Sequence, residues 1–244
     1  MKKIFLENNE LQGDFIKVNS EESNHIMNAL RHKIGDEIVV SNEDDKEYIT
    51  EISDYSEGII TLKIKDIIPL QKSELEIILY QGLCKGDKMD FIIQKATEVG
   101  ISSIIPIETM RTIVKLDSGK SEKKVERWQK IASEAAKQSN APFIPKIGSV
   151  TNIKEMINSL EKDVKYILFW EEEKNLKLRE ALNKISEKRI ALIIGPEGGF
   201  DEKEVSFLKE KGVISVSLGE KILRTETAAI AASTCIMYHF GELG

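Results

Sequence analysis

Cysteine is scarce in this chain. Two occur in 244 residues, Cys84 and Cys235, far apart and outside any CxxC or Cys/His ligand spacing. That excludes a disulfide framework and offers no metal-binding motif. Both read as small buried thiols of a reducing compartment. Long apolar runs are also absent. None approaches the roughly 18 residues of a membrane span, and the small-apolar stretch 228–237 is broken by Ser233 and Thr234. Positive charge is not in excess, with Lys+Arg 35 against Asp+Glu 41 and a net charge of -6. Indiscriminate polyanion binding, which needs Lys and Arg at the phosphates, is disfavoured. The N-terminus meets Glu7 too early for a signal peptide. The expectation is a soluble cytoplasmic protein with no membrane partner. Internal repeats and low-complexity tracts are missing too, and 41% hydrophobic with 31% charged residues is the balance of a chain that buries a core.

What charge there is lies unevenly. Residues 1–72 hold 9 basic and 15 acidic residues, so the remainder is neutral. Within it, residues 109–150 hold 9 basic and 4 acidic residues, including Arg111, Lys115, Arg127, Lys137 and Lys146. This stretch reads either as a nucleic-acid face or as a solvated helix surface.

The hydrophobic rhythm changes once along the chain. Up to residue 72 it alternates with period two, at 4–6, 15–18, 37–40, 48–52 and 59–64, with one helix capped by Ser20 and polar turns at 42–46 and 55–58. This predicts a small β-barrel-like module that ends in a polar hinge at 69–73. Beyond it, apolar strands at 75–79, 101–107, 164–169, 190–194 and 213–217 alternate with helices at 89–99, 121–139, from Asp201 onward and 224–240. Such alternation predicts a mostly parallel sheet in an α/β domain.

Two segments carry the chemistry. One is Gly195-Pro196-Glu197-Gly198-Gly199-Phe200. The other is Leu218-Gly219-Glu220-Lys221-Ile222-Leu223-Arg224-Thr225-Glu226-Thr227-Ala228. Each follows an apolar strand and enters a helix, which suggests one ligand pocket built from neighbouring strand ends. The first has neither the GxGxxG of a dinucleotide loop nor the Lys-Ser/Thr end of a P-loop. Its glycines let main chain approach a flat heterocycle, or it is an ordinary tight turn. In the second, Ile222 and Leu223 offer an apolar wall and Arg224 to Thr227 form a polar cluster at a helix start. The small residues that follow fit either a buried helix or a dimer seam. Lys85 and Lys88, in Lys85-Gly86-Asp87-Lys88-Met89-Asp90, suit a phosphate or ribose, or only a solvated helix start. His32 and His239 show no ligand spacing.

At these residues the sequence resembles the ribosomal RNA small-subunit methyltransferase E family, of the SPOUT superfamily. The resemblance spans nearly the whole chain. It includes His25 with Leu30-Arg31, the Lys85 to Asp90 segment, Gln94-Lys95-Ala96-Thr97-Glu98-Val99-Gly100, Arg111, Glu126-Arg127-Trp128 and Glu134-Ala135-Ala136-Lys137-Gln138-Ser139, besides the two loops. It implies a PUA-like RNA-binding barrel over 1–72 and a methyltransferase domain over 73–244 with a C-terminal trefoil knot. It also implies a homodimer that binds S-adenosyl-L-methionine and methylates N3 of a uridine in 16S rRNA of the small ribosomal subunit. By the same resemblance, Gly195 to Phe200 with Leu218, Gly219, Ile222, Leu223, Thr225, Thr227 and Ala228 bind the cofactor. Arg224 and Glu226 are the catalytic candidates. His25, Arg31, Lys85, Lys88, Arg111, Arg127 and Lys137 are the RNA contacts. Two departures stand out: Met110 replaces the family's usual Glu before Arg111, and Asn140-Ala141 replace its Gly-Arg. A ribose 2′-O-methyltransferase on the same scaffold and a non-catalytic ribosome-assembly protein are the alternatives.

Overall fold

A computed structural model describes residues 3–5, 10–41, 46–70 and 73–243. The chain divides into two compact units, Met1–Lys72 and Ser73–Gly244.

In the first unit, β1 (Lys3–Phe5), β2 (Glu10–Gln12) and β3 (Phe15–Lys17) precede the short helix α1 (Ser20–Asn24), which widens into a π-type turn over His25–Ala29. Then come β4 (Glu37–Ser41), β5 (Lys46–Ser56) and β6 (Ile59–Pro69). The six strands form one sheet in the order β1-β4-β5-β6-β3-β2, with only β1 and β4 parallel. Alternation does what the sequence predicts: Tyr48, Thr50 and Ile52 of β5 point into a core with Val18, Ile26, Ile38, Val40, Ile60 and Leu62. Register shifts at Ile49/Thr50 and Ile52/Asp54 bend the long β5–β6 pair, as bulges do. The helix cap is Asn19 rather than Ser20, because the Asn19 side chain accepts the Glu22 N–H (2.9 Å). The turn expected at 55–58 joins β5 to β6. Of the one expected at 42–46, residues 42–45 lie outside the described residues, and Lys46 already belongs to β5. Pro69, expected in the hinge, ends β6 paired with Lys46.

The second unit runs β7 (Glu76–Gly82), α2 (Lys88–Val99), β8 (Ser103–Glu108), α3 (Ser118–Ser139), β9 (Lys146–Ile147), β10 (Thr151–Asn152), α4 (Ile153–Asn158), β11 (Val164–Phe169), α5 (Leu178–Leu182), β12 (Arg189–Ile194), α6 (Glu202–Glu210), β13 (Ile214–Val216) and α7 (Thr225–His239). Its sheet is parallel throughout, in the order β10-β8-β7-β12-β11-β13, with β9 also on β8. The central strands are buried on both faces, as parallel strands are. On one face, Leu79, Leu192 and Ile167 pack with Ile92 and Ile93 of α2, Trp128 of α3 and Ile236 of α7. On the other, Ile78, Leu168 and Ile193 pack with Met156 of α4 and Val205 and Leu208 of α6. α6 opens with a capping box between Asp201 and Glu204, as its sequence pattern predicts. Cys84 is buried as expected, and burial pushes its thiol up to about 12. Cys235 is not buried. α7 turns Ala229, Ala232, Ser233, Ile236 and Met237 inward, and that helical spacing leaves Cys235 on the outer face. Among the described residues no helix is long and apolar enough to cross a membrane.

Candidate active site

The strand ends at the C-terminal edge of the parallel sheet enclose a cavity of about 410 Å³, within the usual range for small-ligand pockets. The two glycine-bearing loops form opposite parts of its wall, but they do not follow adjacent strands. β11 lies between β12 and β13, so Phe169, Trp170 and Glu171 from its end complete the pocket. The sequence reading missed these three, together with Ile194 and Ser217. The signal available was the apolar run of β11 ending at Phe169, which needed the strand order to become informative.

Of the residues singled out from sequence, Gly195, Pro196, Glu197, Gly199, Leu218, Gly219, Ile222, Leu223, Arg224, Thr225, Glu226 and Ala228 all line the cavity. Gly198, Phe200 and Thr227 do not. The Gly198 carbonyl faces outward and accepts a hydrogen bond from Arg111 Nη1 (3.2 Å). The Phe200 ring is 1% exposed in the core on the α6 side of the sheet and packs under Gly195. Thr227 is exposed on the first turn of α7. Thr225 turns its hydroxyl inward, donating to the Gly195 carbonyl (2.6 Å) and accepting from Gln81 Nε2 (2.9 Å). The side chain of Thr225 therefore fastens the start of α7 to the ends of β7 and β12. Gly199 is required by its backbone, which lies in the left-handed region at φ +67; the atoms a Cβ would meet belong to the movable Glu171 carboxylate.

The polar groups divide by partner. Glu197 Oε1 accepts from Lys88 Nζ (2.9 Å) and from the Lys85 N–H (3.1 Å). Burial acts to raise the Glu197 carboxyl, and these two donors outweigh it, so it titrates below its ordinary range. Glu226 differs: its Oε2 is buried with no hydrogen-bond partner, an acceptor awaiting a donor from a ligand. Arg224, the residue that caps α7, is exposed to the cavity with no partner among the described residues. The Phe169, Ile194, Leu218, Ile222 and Leu223 side chains supply the apolar part of the wall.

The segment that carries Trp170 and Glu171 is clamped from behind. Glu173 accepts from Lys209 Nζ (2.8 Å) and from the Asn175 N–H (3.0 Å), and Lys209 Nζ lies 5.2 Å from the Trp170 ring centre. Burial raises the Glu173 carboxyl, Lys209 and the Asn175 N–H lower it more, and it settles at about 2. A carboxyl held below its unfolded value near 4.5 stabilises the fold above that pH, and the stabilisation disappears as pH falls from about 4.5 to about 2. Glu173→Gln is therefore expected to cost on the order of 3 kcal/mol at pH 7. In urea denaturation, its difference from wild type should vanish toward pH 2.

The family models and relatives agree on what this arrangement belongs to. A model described as an RNA methyltransferase domain matches residues 71–237, and one described as an RNA methyltransferase PUA domain matches residues 18–65. Ribosomal RNA small subunit methyltransferase E of Bacillus subtilis is 33% identical over 98% of this chain and 96% of its own. The chain belongs to the ribosomal RNA small subunit methyltransferase E family. A second relative, ribosomal RNA small subunit methyltransferase E 2 of Borreliella burgdorferi, is 32% identical over 94% of each chain. Among solved structures, the family's Neisseria gonorrhoeae member bound to S-adenosyl methionine superposes with a TM-score of 0.85, at 27% identity over 98% of this chain and 97% of that one. A Legionella pneumophila protein in complex with the bound cofactor SAM gives 0.79 at 28% identity, over 97% of each.

Seen as a member of this family, the chain places its RNA-side candidates unevenly. His25 and Arg31 are exposed on the first unit, and Arg31 has a positive φ of 59° just after the π-type turn. Lys85 is exposed beside the pocket. Lys88, Arg111 and Arg127 have partners of their own: Glu197 for Lys88, Gly198 and Asp201 for Arg111, and Asp90 for Arg127. Lys137 sits in the last turn of α3. The departure at Met110 leaves the local structure intact, because its backbone N–H, not its side chain, makes the contact, to Glu204 Oε1 (2.8 Å). At the other departure, Asn140 ends α3 in the left-handed conformation, a C-cap role that Asn fills next best after Gly.

Proposed function

We propose that this protein transfers the methyl group of S-adenosyl-L-methionine to N3 of a uridine in 16S rRNA. The observation that carries the proposal is the pocket at the ends of β12, β11 and β13, on a chain that belongs to a family of ribosomal RNA methyltransferases. The residues fit the cofactor. Its charged groups include a sulfonium and an ammonium, and four carboxylates line the cavity (Glu171, Glu197, Glu220, Glu226) against three cationic side chains (Lys88, Lys221, Arg224). The buried, unpartnered Oε2 of Glu226 marks where a donor belongs. The apolar side chains and the main chain of the two loops suit a flat adenine.

The bound cofactor supplies an electrophilic methyl group on sulfur. The nucleophile is the uracil N3 of the substrate, which carries its proton at neutral pH, so the chain must help to remove that proton. Glu226 takes that proton or holds it in a hydrogen bond. The Arg224 guanidinium, reinforced by the N-terminus of α7, stabilises the charge that develops on the uracil oxygens. N3 lies on the base-pairing edge, so the uridine must be unpaired or flipped out when it enters.

In this reading residues 1–72 form a PUA-like RNA-binding barrel and residues 73–244 a SPOUT domain with a C-terminal trefoil knot. The knot is supported by the path of the chain, which leaves β13, passes back across the end of β11, and is fastened by Thr225 to Gln81 and Gly195 at the ends of β7 and β12. The enzyme works in the cytoplasm as a homodimer on the small ribosomal subunit. Pairing of two copies is supported by the outer face of α7, where Cys235 and Tyr238 (71% exposed) are open to solvent. The test is incubation with radiolabelled S-adenosyl-L-methionine and small subunits that lack the modification, followed by nucleoside analysis. Label in 3-methyluridine is expected. Label in a 2′-O-methylated nucleoside would overturn the mechanism, and no label with RNA still bound would favour an assembly role.

A further inference from the structure

One polar side chain sits where the core is otherwise apolar. Gln81, near the end of β7, is 0% exposed. Side chains alternate along a strand, so Gln81 continues the face of Ile77 and Leu79, which packs against α2, α3 and α7. Its Nε2 carries two protons and has two oxygen acceptors within reach, the Gly82 carbonyl (3.1 Å) and Thr225 Oγ1 (2.9 Å). Its Oε1 is buried with no hydrogen-bond partner among the described residues. An unbranched apolar residue of the same length would fill this place without leaving an acceptor unpaired. What Gln81 adds over such a residue is its pair of donors.

Those donors set the direction of a hydrogen-bond chain. A carbonyl can only accept, so the Thr225 hydroxyl, 2.6 Å from the Gly195 oxygen, gives its one proton there. Its oxygen is then left as an acceptor, and Gln81 donates to it. The chain from Gln81 through Thr225 to Gly195 joins the end of β7, the start of α7 and the loop after β12. Cys84 is a poor substitute for Gln81, because its single weakly donated proton lies 3.1 Å from the Gly82 carbonyl and its Sγ is 3.8 Å from Thr225 Oγ1. Thr225 is the first residue of α7, with Arg224 before it and Glu226 after it. The main chain that carries both catalytic candidates is thus held at the point between them.

We propose that Gln81 is a positioning residue for methyl transfer: through Thr225 it fixes the first turn of α7, and with it the places of the Arg224 guanidinium and the Glu226 carboxylate. Gln81 itself does not line the cavity. The pocket wall at Gly195 depends on it less, because the hydrogen bond from Thr225 to Gly195 survives removal of the Gln81 amide. The inference rests on the methyl transfer proposed above and on the roles given there to Arg224 and Glu226.

The test is Gln81→Met, alone and combined with Thr225→Val, assayed for kcat and KM on small ribosomal subunits that lack the modification and for S-adenosyl-L-methionine affinity by calorimetry. Met fills the space and makes neither hydrogen bond. The kcat should fall at least about tenfold, since misplacing catalytic groups by about 1 Å costs up to about 10²-fold. KM and cofactor affinity should change by no more than about threefold. Because Gln81 acts through Thr225, the double variant should be no slower than Thr225→Val alone. If Gln81→Met does not fold, Gln81→Glu, which has the same shape and at most one donor, takes its place with the same expectations. A wild-type kcat in the substituted protein would overturn the positioning role alone. So would a loss of cofactor affinity in proportion to rate, or losses that add in the double variant. A wild-type protein that binds cofactor but transfers no methyl group to the subunit would remove the methyl-transfer reading and the positioning role together.

Discussion

Gly82→Ala should destabilise the second unit severely and abolish cofactor binding, although Gly82 is not a pocket residue. It ends β7 beside β12, where the loop from β12 crosses directly over it. A Cβ at Gly82 would lie 2.3 Å from the Pro196 nitrogen and 2.5 Å from its Cδ. Neither atom is the movable end of a side chain. Pro196 is buried, and its position is fixed by β12 on one side and by the Thr225–Gly195 hydrogen bond on the other. The strain must go into main chain at the edge of the sheet, which puts the cost at or above the upper end for overpacked cores, about 3 kcal/mol. For a unit of this size that corresponds to a fall in melting temperature of roughly 6–12 °C. Whatever relaxation occurs displaces the Gly195 and Pro196 main chain, so affinity for S-adenosyl-L-methionine should be lost in calorimetry. Gly119→Ala is the matching control. It places the same methyl group in the first turn of α3 with no atom within 4 Å, and it should stabilise the protein by about 0.5–1 kcal/mol through helix propensity alone. A Gly82→Ala protein with wild-type melting temperature and cofactor affinity would mean that the crossing is not where the structure puts it.

That crossing also marks the limit of what the residues alone disclose. α2 and α6 are legible because their stop and start signals are local: Gly100 after Val99, and Asp201 with Glu204 three residues on. β11 is legible because it ends in the apolar run Tyr166-Ile167-Leu168-Phe169. β9 and β10 are two residues each and exist only because β8 offers them an edge. α5 has five residues and no capping side chain, and is held by Leu178, Ala181 and Leu182 against the core. None of these has a periodic signature of its own. In the site the same division holds. Local patterns identify the two loops, because glycine density and a strand-to-helix transition are properties of neighbours in sequence. They do not identify the Phe169, Trp170 and Glu171 floor, because the insertion of β11 between β12 and β13 is a property of the sheet. Nor do they tell that Phe200 and Thr225 face inward while Glu226 lines the cavity. Thr225 and Glu226 are neighbours in sequence, and main-chain direction decides between them.

The catalytic assignment makes the second large prediction. Arg224→Ala should lower the methylation rate on small ribosomal subunits by about 10²- to 10³-fold, the usual loss when a donor aimed at developing charge is removed. Affinity for S-adenosyl-L-methionine should change by no more than about threefold, because an interaction made only in the transition state leaves ground-state binding intact. The structure makes this separation possible. The guanidinium has no partner among the described residues, so its removal breaks no internal contact, while the pocket wall of Gly195, Leu218 and Leu223 remains. Glu226→Gln tests the other half. The amide keeps the volume and one acceptor oxygen but cannot take up a proton, so a base role predicts a loss of about 10²-fold or more. The two substitutions should also respond differently to substrate charge. A uridine analogue with a more acidic N3 proton, such as 5-fluorouridine at the target position, should restore much of the rate lost in Glu226→Gln, because less base strength is needed. It should restore little in Arg224→Ala, where the missing element is stabilisation of the anion rather than its formation. If the analogue rescued both variants alike, the two residues would share one role. If Arg224→Ala lost cofactor affinity in proportion to rate, Arg224 would belong to the cofactor and the stabilising cation would have to be sought elsewhere on the pocket wall, with Lys88 and Lys221 the remaining candidates.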